Sequence, residues 1–151
     1  MGPRFAVILM MWLASAVQAQ QPVTFHASDG ALISADLYAP KDSRAPRAVI
    51  LAHGGRFTKE SWKPQAEQLC AAGFRVLAID FRGFGKSAGP GTDDVLAAPL
   101  YLDLLAAASY LRSQGAASIS IVGGSAHAQA LFETDQADKV FEAILHFMKA
   151  E

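Results

Sequence analysis

The first predicted strands alternate between apolar and polar residues, and the later part of the chain carries mainly apolar runs. Residues 23–28 and 31–38 predict two strands joined at Asp29-Gly30, a dipeptide typical of hairpin turns. Three such runs of strand length follow: residues 48–52 are continuously apolar, residues 74–79 are interrupted by Arg75, and residues 118–122 include Ser118 and Ser120. Runs of this kind are typical of strands that are buried on both faces.

Apolar residues at helical spacing occupy the segments between these runs. For residues 61–72 the predicted buried stripe is Trp62, Ala66, Leu69 and Cys70; for residues 96–111 it is Leu100, Leu104, Ala108 and Leu111. Pro99 suits a first turn, and Gly73 and Gly115 end the two helices. A last amphipathic helix is predicted for residues 135–149. Strands that alternate with helices predict an α/β fold, with a mostly parallel sheet covered on both faces and an N-terminal β-hairpin.

Residues 1–19 are typical of a secretory signal peptide. Arg4 precedes an apolar run, and Val17-Gln18-Ala19 fits a cleavage site. The run is shorter than the ~20 residues that a membrane-spanning helix needs. We expect cleavage after Ala19, export to the periplasm or medium with no membrane attachment afterwards, and a single domain over residues 20–151. An uncleaved N-terminal anchor is the alternative.

Composition excludes some classes of partner. The 151 residues are 52% hydrophobic, with a net charge of −1 and no basic cluster, so nucleic acid is not an expected partner. Cys70 is the only cysteine, which excludes an internal disulfide. Its apolar surroundings in the sequence predict a packed thiol rather than a nucleophile.

Two glycine-bearing loops follow the first two apolar runs. Glycines in His53-Gly54-Gly55 allow backbone N–H groups to approach a ligand, as in an oxyanion hole; a tight turn with a structural histidine is the alternative. In the loop at residues 80–87, a phosphate-binding P-loop would need glycine where Asp80 stands. A dinucleotide fingerprint is excluded because Gly89-Pro90-Gly91 follows instead of a helix. We expect no cofactor and no metal.

The third apolar run leads into Gly123-Gly124-Ser125-Ala126-His127. A serine on a sharp turn after a strand is the nucleophile elbow G-x-S-x-G, in which His127 replaces the final glycine. A plain Gly-Gly-Ser turn is the alternative.

Together these motifs resemble the α/β-hydrolase family, in its dienelactone-hydrolase or small-esterase style, over about residues 23–125. The residues that carry or support the resemblance before the serine are His53, Gly54, Asp80, Arg82, Gly83, Gly85 and Ser87; from Asp80 onward they follow the pattern D-x-R-G-x-G-x-S. The resemblance implies Ser125 as nucleophile, His127 as base, and backbone N–H groups of Gly55, Arg56 and Ala126 as the oxyanion hole. It implies hydrolysis of small carboxylic esters, lactones or similar acyl substrates, without a metal or cofactor.

A second match starts at almost the same point. Residues 124–129 and the predicted helix at 135–149 resemble the C-terminal end of the same family, where a loop carries the catalytic histidine. Both matches include Gly124 and Ser125, so we hypothesise an internal deletion and a truncated three-layer α/β-hydrolase sandwich. The family orders its triad as Ser, acid, His. Only Ala126 separates Ser125 from His127, and no acid lies between them.

Three functions remain open on this basis. The first is the serine hydrolase. The second is a catalytically inactive remnant of the fold, which self-associates through the sheet edge formed by residues 118–122. The third is a small-molecule binding module that rests only on the oxyanion loop.

Overall fold

A computed structural model describes residues 20–41, 45–93 and 98–124, which contain five strands and two α-helices. The strands are β1 (Gln21–His26), β2 (Leu32–Tyr38), β3 (Arg47–Ala52), β4 (Arg75–Ile79) and β5 (Ser118–Gly123). The helices are α1 (Lys63–Ala71), preceded by a 3₁₀ turn at Lys59–Trp62, and α2 (Leu100–Ser113). All five predicted strands are confirmed, with small differences in their ends.

The N-terminal hairpin forms as its turn residues predict. Strands β1 and β2 pair antiparallel, and Ala27 N donates a hydrogen bond of 2.9 Å to Ala31 O across the turn. Gly30 has a φ of +86°, a conformation that favours glycine. The Asp-Gly pair therefore sets the register that places one face of the hairpin in the core.

The five strands form one sheet in the order β1-β2-β4-β3-β5. Strands β4 and β5 pair parallel to β3 on either side, and β2 pairs antiparallel to both β1 and β4. It follows that β2 alone runs against the other four strands. The connection from β3 leads to β4 on one side, and the chain then returns to place β5 on the other side of β3.

Two apolar cores lie on opposite faces of the sheet. On one face α1 packs with Trp62, Ala66 and Leu69 against β3 and β4. On the other face α2 packs with Ala107 and Leu111 against the same strands. The predicted three-layer α/β arrangement is thereby confirmed, and Cys70 is buried in the first core, as expected.

The predicted start of α2 is wrong, and its predicted buried stripe is right for Leu111 and only partly right for Leu104 and Ala108, which pack against the core but are half-buried. The helix begins at Leu100, and Pro99 precedes it with φ −78° and ψ 63°. The buried face consists of Asp103, Ala107 and Leu111, whereas Leu104 is only partly buried. Asp103 joins this face as a buried charged residue, and its partner is Arg82.

Strand β5 lies at the end of the sheet among the described residues, as predicted for residues 118–122. It pairs with β3 alone within them, and the Ile121 side chain is 53% exposed. Neither described helix is both long and apolar enough to cross a membrane. The predicted signal peptide and the predicted helix at 135–149 lie outside the described residues.

Candidate active site

The carboxyl ends of β3, β4 and β5 meet at one edge of the sheet. Ala52 is in register with Ile79 and with Gly123, so that the next residues along each strand are His53, Asp80 and Gly124. Gly124 N donates a 3.1 Å hydrogen bond to Ala52 O, which extends the pairing by one residue. In open α/β sheets, ligands bind at the carboxyl ends of the strands, at the point where the strand order reverses.

His53 joins the first two loops at this edge. The ring is buried, with Nδ1 2.9 Å from Gly54 O and Nε2 3.1 Å from Phe81 N. A carbonyl oxygen only accepts and an amide only donates, so the ring proton is on Nδ1 and Nε2 accepts. The rings of Phe81 and Phe84 pack edge-on against it. Both nitrogens are engaged with backbone groups, which gives His53 a structural role.

The loop after His53 turns back at Gly55 and Arg56. Phe57 N donates a 3.0 Å hydrogen bond to Gly54 O, and Gly55 and Arg56 at the tip are exposed. A Cβ on Gly55 would meet no described atom within 4 Å, and its φ is not positive. Neither packing nor backbone geometry among the described residues requires glycine here.

Asp80 is completely buried at the end of β4. Its carboxylate binds Lys59, in the segment that follows the His53-Gly54-Gly55 loop. Its Oδ1 accepts from Lys59 N at 2.8 Å, and its Oδ2 accepts from Lys59 Nζ at 3.0 Å. Lys86 N also approaches Oδ2, at 3.4 Å. Gly85 has a φ of +54°, and a Cβ there would lie 2.2 Å from Asp80 Oδ2, so only glycine fits.

Ser87 fastens the other end of the same loop to β2. Its Oγ donates to Asp80 O at 2.7 Å and accepts from Ser34 N at 2.8 Å. Gly83 N donates to Ser87 O at 3.2 Å, with a φ of +81° at Gly83. These contacts explain the glycine and serine positions of the motif through the folding of the loop itself.

All five N–H donors of the Arg82 side chain have an acceptor. Nε and Nη2 donate to Asp103 Oδ1 at 2.9 and 2.7 Å, Nη1 and Nη2 contact the Asp29 carboxylate, and Nη1 donates to Pro90 O at 3.0 Å. Its hydrogen bonds to Asp29 and Asp103 raise the pKa of Arg82, and the bond from Arg82 lowers the pKa of Asp29. The motif thus ties together the hairpin, the loop after β4 and α2.

A cleft of about 360 Å³ lies beside this edge, between the hairpin and Lys59. Burial opposes the charge of Lys59, but its hydrogen bonds to Glu60 and Asp80 keep its pKa above the usual value. The bond from Lys59 lowers the pKa of Glu60 to about 2, and burial raises the pKa of Asp36. At the cleft, Lys59 and Glu60 are therefore paired with each other, and Asp36 accepts a 2.8 Å hydrogen bond from Gln20 Nε2.

Sequence reasoning missed three members of this arrangement: Lys59, Asp29 and Asp103. The signal for Asp103 is its spacing of four and eight residues from the buried Ala107 and Leu111. Lys59 gives no comparable signal, since lysine in a loop is normally solvated. The described ranges contain no group of three or more His, Cys, Asp or Glu able to hold a metal ion. Ser125, Ala126 and His127 lie outside the described residues.

Comparisons with known proteins agree with this architecture. Residues 49–145 match the model of the alpha/beta hydrolase family. Epoxide hydrolase B of Mycobacterium tuberculosis is 42% identical over 59 residues, which are 39% of this chain and 16% of that protein.

Solved structures give the same result. An esterase of Pyrococcus furiosus superposes with a TM-score of 0.61 at 26% identity, over 72% of this chain and 43% of the other. An epoxide hydrolase from an endophytic Streptomyces has a TM-score of 0.56 at 29% identity, over 76% and 34%. The matched part of this chain spans less than half the length of these relatives. The family model covers more than half of this chain, and the chain therefore belongs to the α/β-hydrolase family.

Proposed function

We propose that this protein is a serine hydrolase of carboxylic esters or related acyl compounds. In this proposal Ser125 attacks the carbonyl carbon and His127 accepts the hydroxyl proton. The backbone N–H groups of Gly55, Arg56 and Ala126 stabilise the oxyanion. No cofactor takes part, and the partner is a small ester-like molecule.

The observation that carries the proposal is the register of β5 on β3. Because Gly124 N bonds to Ala52 O, Ser125 follows a residue paired beside the start of the His53-Gly54-Gly55 loop. The exposed tip of that loop, with open space at Gly55, suits a backbone that faces a substrate. A hydroxyl nucleophile next to exposed backbone donors is the arrangement that acyl transfer needs.

The alternative is a catalytically inactive remnant of the same fold. Ser125 and His127 are two residues apart, and side chains so placed contact each other only in an extended segment, which a sharp elbow is not. The acids after Val122 all follow the histidine, so the Ser–acid–His order is broken. An internal deletion is the proposed cause, because the matches to the nucleophile elbow and to the C-terminal end of the family both include Gly124 and Ser125.

Export and domain organisation complete the proposal. The sequence of residues 1–19 supports a signal peptide cleaved after Ala19, which leaves one domain over residues 20–151 outside the cytoplasm. N-terminal sequencing of the protein recovered from its host tests this: a mature chain that begins at Gln20 is expected, and an intact Met1 would contradict it.

The experiment for the activity is covalent labelling with a fluorophosphonate, read by intact mass on protein that begins at Gln20. One adduct that disappears in Ser125→Ala is expected, with turnover of p-nitrophenyl acetate. No adduct on soluble, folded protein would favour the inactive remnant. Since two relatives are named epoxide hydrolases, styrene oxide is assayed in parallel; its hydrolysis without labelling would exclude Ser125 as the nucleophile.

A further inference from the structure

We propose that Lys59 is the positioning residue of the candidate oxyanion loop, and that its ion pair with Asp80 fixes where the backbone of Gly55 and Arg56 lies. The catalytic part of this inference rests on the proposed function. The positioning itself is a property of the fold and is measured independently.

The loop has one anchor at its start. His53 Nε2 accepts from Phe81 N at 3.1 Å, so the first residue after β3 is held against the first residue of the loop after Asp80. His53 is buried between the rings of Phe81 and Phe84. This end of the loop is therefore fixed relative to β4.

The second anchor lies six residues further on, at Lys59. Both its backbone N and its Nζ donate to the Asp80 carboxylate, at 2.8 and 3.0 Å, and its Nζ also donates to Glu60 at 2.8 Å. The side chains of Lys59 and Asp80 are 6% and 0% exposed. Charge-assisted bonds in such a dry environment are stronger than bonds between exposed groups.

Asp80 is the fixed member of this pair. Gly85 leaves no space beside its Oδ2, and Ser87 Oγ bonds to its backbone oxygen at 2.7 Å. Its backbone N donates to Ser34 O at 2.9 Å, which holds it to β2. Because Asp80 is fixed to the sheet, its bonds to Lys59 hold Lys59 in a fixed position relative to the sheet. The end of the loop at Lys59 is held in the same way.

The predicted oxyanion donors lie between the two anchors. Gly55 and Arg56 are exposed, in a turn closed by the 3.0 Å bond from Phe57 N to Gly54 O. Oxyanion stabilisation requires donors within about 2.7–3.1 Å of the developing charge. Removing the Lys59 ammonium takes away the side-chain half of the second anchor and keeps the bond from Lys59 N to Asp80, so this segment is held less firmly while β3 and β4 stay paired.

The experiment is hydrogen exchange, read by mass spectrometry on the full chain, with Lys59→Met. Lys86→Met is the matched control, because Lys86 contributes only its backbone N to Asp80, at 3.4 Å. We expect the Phe57 amide, which donates to Gly54 O, to exchange at least about tenfold faster in Lys59→Met, read in the peptide that covers residues 54–58, with β3 and β4 unchanged, and Lys86→Met to match the wild type. Equal exchange in residues 54–58 for the two variants, or a uniform increase through the sheet, would overturn the proposal.

Two further measurements make the result decisive. If Lys59→Met does not fold, Asp80→Asn replaces it, since the amide oxygen still accepts from Lys59 N but no longer pairs with the ammonium; the same criteria apply. With an ester substrate, Lys59→Met should lower kcat about tenfold or more and leave KM within about twofold, because the loss falls on the transition state. An equal rise in KM would contradict positioning. A wild type without turnover would refute the proposed function, and the exchange data would still decide the role of Lys59.

Discussion

Arg82 and Asp103 are both completely buried, and Nε and Nη2 of the guanidinium donate to the same Asp103 oxygen. Arg82 N also donates to the other oxygen of that carboxylate, at 3.0 Å. The pair therefore connects the loop after β4 to the buried face of α2, and it explains how a charged residue can lie on that face. Asp29 extends the connection to the hairpin.

Breaking this pair from one side should be costly. Asp103→Leu leaves the buried Arg82 charge with only the partly exposed Asp29, and a loss of about 3–5 kcal/mol in the free energy of unfolding is expected in urea titrations. The double variant Arg82→Met/Asp103→Leu should recover part of that loss, since no unpaired charge remains. A double variant less stable than Asp103→Leu alone would contradict this account.

Two glycines near the site should differ in how far replacement by alanine lowers the free energy of unfolding. Gly85→Ala places a Cβ 2.2 Å from Asp80 Oδ2 at a φ of +54°, and it should lower the free energy of unfolding by about 2 kcal/mol or more. Gly55→Ala should stay within about 0.5 kcal/mol of the wild type, because the space around that position is open.

Gly55→Ala still adds a methyl group where the substrate is proposed to lie. Its rate of fluorophosphonate labelling should therefore fall while its melting temperature is kept. Unchanged labelling with unchanged stability would place the reacting group elsewhere.

Acid should weaken the fold partly through Glu60. Its pKa falls from 4.5 to about 2 in the folded state because of the hydrogen bond from Lys59. A carboxyl group with a lowered folded-state pKa stabilises the fold above its unfolded pKa, and this contribution is lost as the pH falls through 4.5 towards 2.

Glu60→Gln isolates that contribution. Since the Glu60 side chain is 63% exposed, the difference from wild type should be below about 1 kcal/mol at pH 7, and it should vanish near pH 2. Urea midpoints measured from pH 7 to pH 2 check this. A difference that persists unchanged at pH 2 would show that charge is not its cause.

The end strand should mediate self-association, as we propose from its sequence and position. Ile121 is 53% exposed on β5, and an apolar edge strand pairs readily with another chain. Light scattering should show a dimer or larger species in the wild type and a monomer in Ile121→Lys. Tyr101→Lys, on the exposed face of α2, is the control and should behave as the wild type. A wild-type monomer with a sharp melting transition would refute this proposal.

The strands could be predicted from sequence because each has a local cause. Residues 48–52 and 76–79 are apolar on both faces because they lie under two helices, and Asp29-Gly30 supplies the hairpin turn on its own. The glycines of the loop after β4 were also visible as a motif. The sequence did not show that the glycines and the serine of this motif hold the conformation of the loop itself.

The missed residues depend on contacts between distant parts of the chain. Asp103 is buried because Arg82, 21 residues earlier, pairs with it, and Lys59 is buried because Asp80 accepts from it across the same separation. The spacing of apolar residues predicts which face of a helix is buried on average. It gives no information about a single charged residue that pairs with a distant part of the chain. The roles of Ser125 and His127 stay predictions, since both residues lie outside the described part of the chain.

The order of strands in the sheet has a consequence for how the chain folds as it is made. Strands β1, β2, β4 and β3 are neighbours, and all four are complete once residue 79 has emerged. Strand β5 adds to β3 from the other side and arrives about forty residues later, after α2. Local and early pairings form before late ones during synthesis, so β3 keeps an open side for that interval. The candidate active site lies at the junction of β3 and β5 and is therefore the last part of the described sheet to assemble.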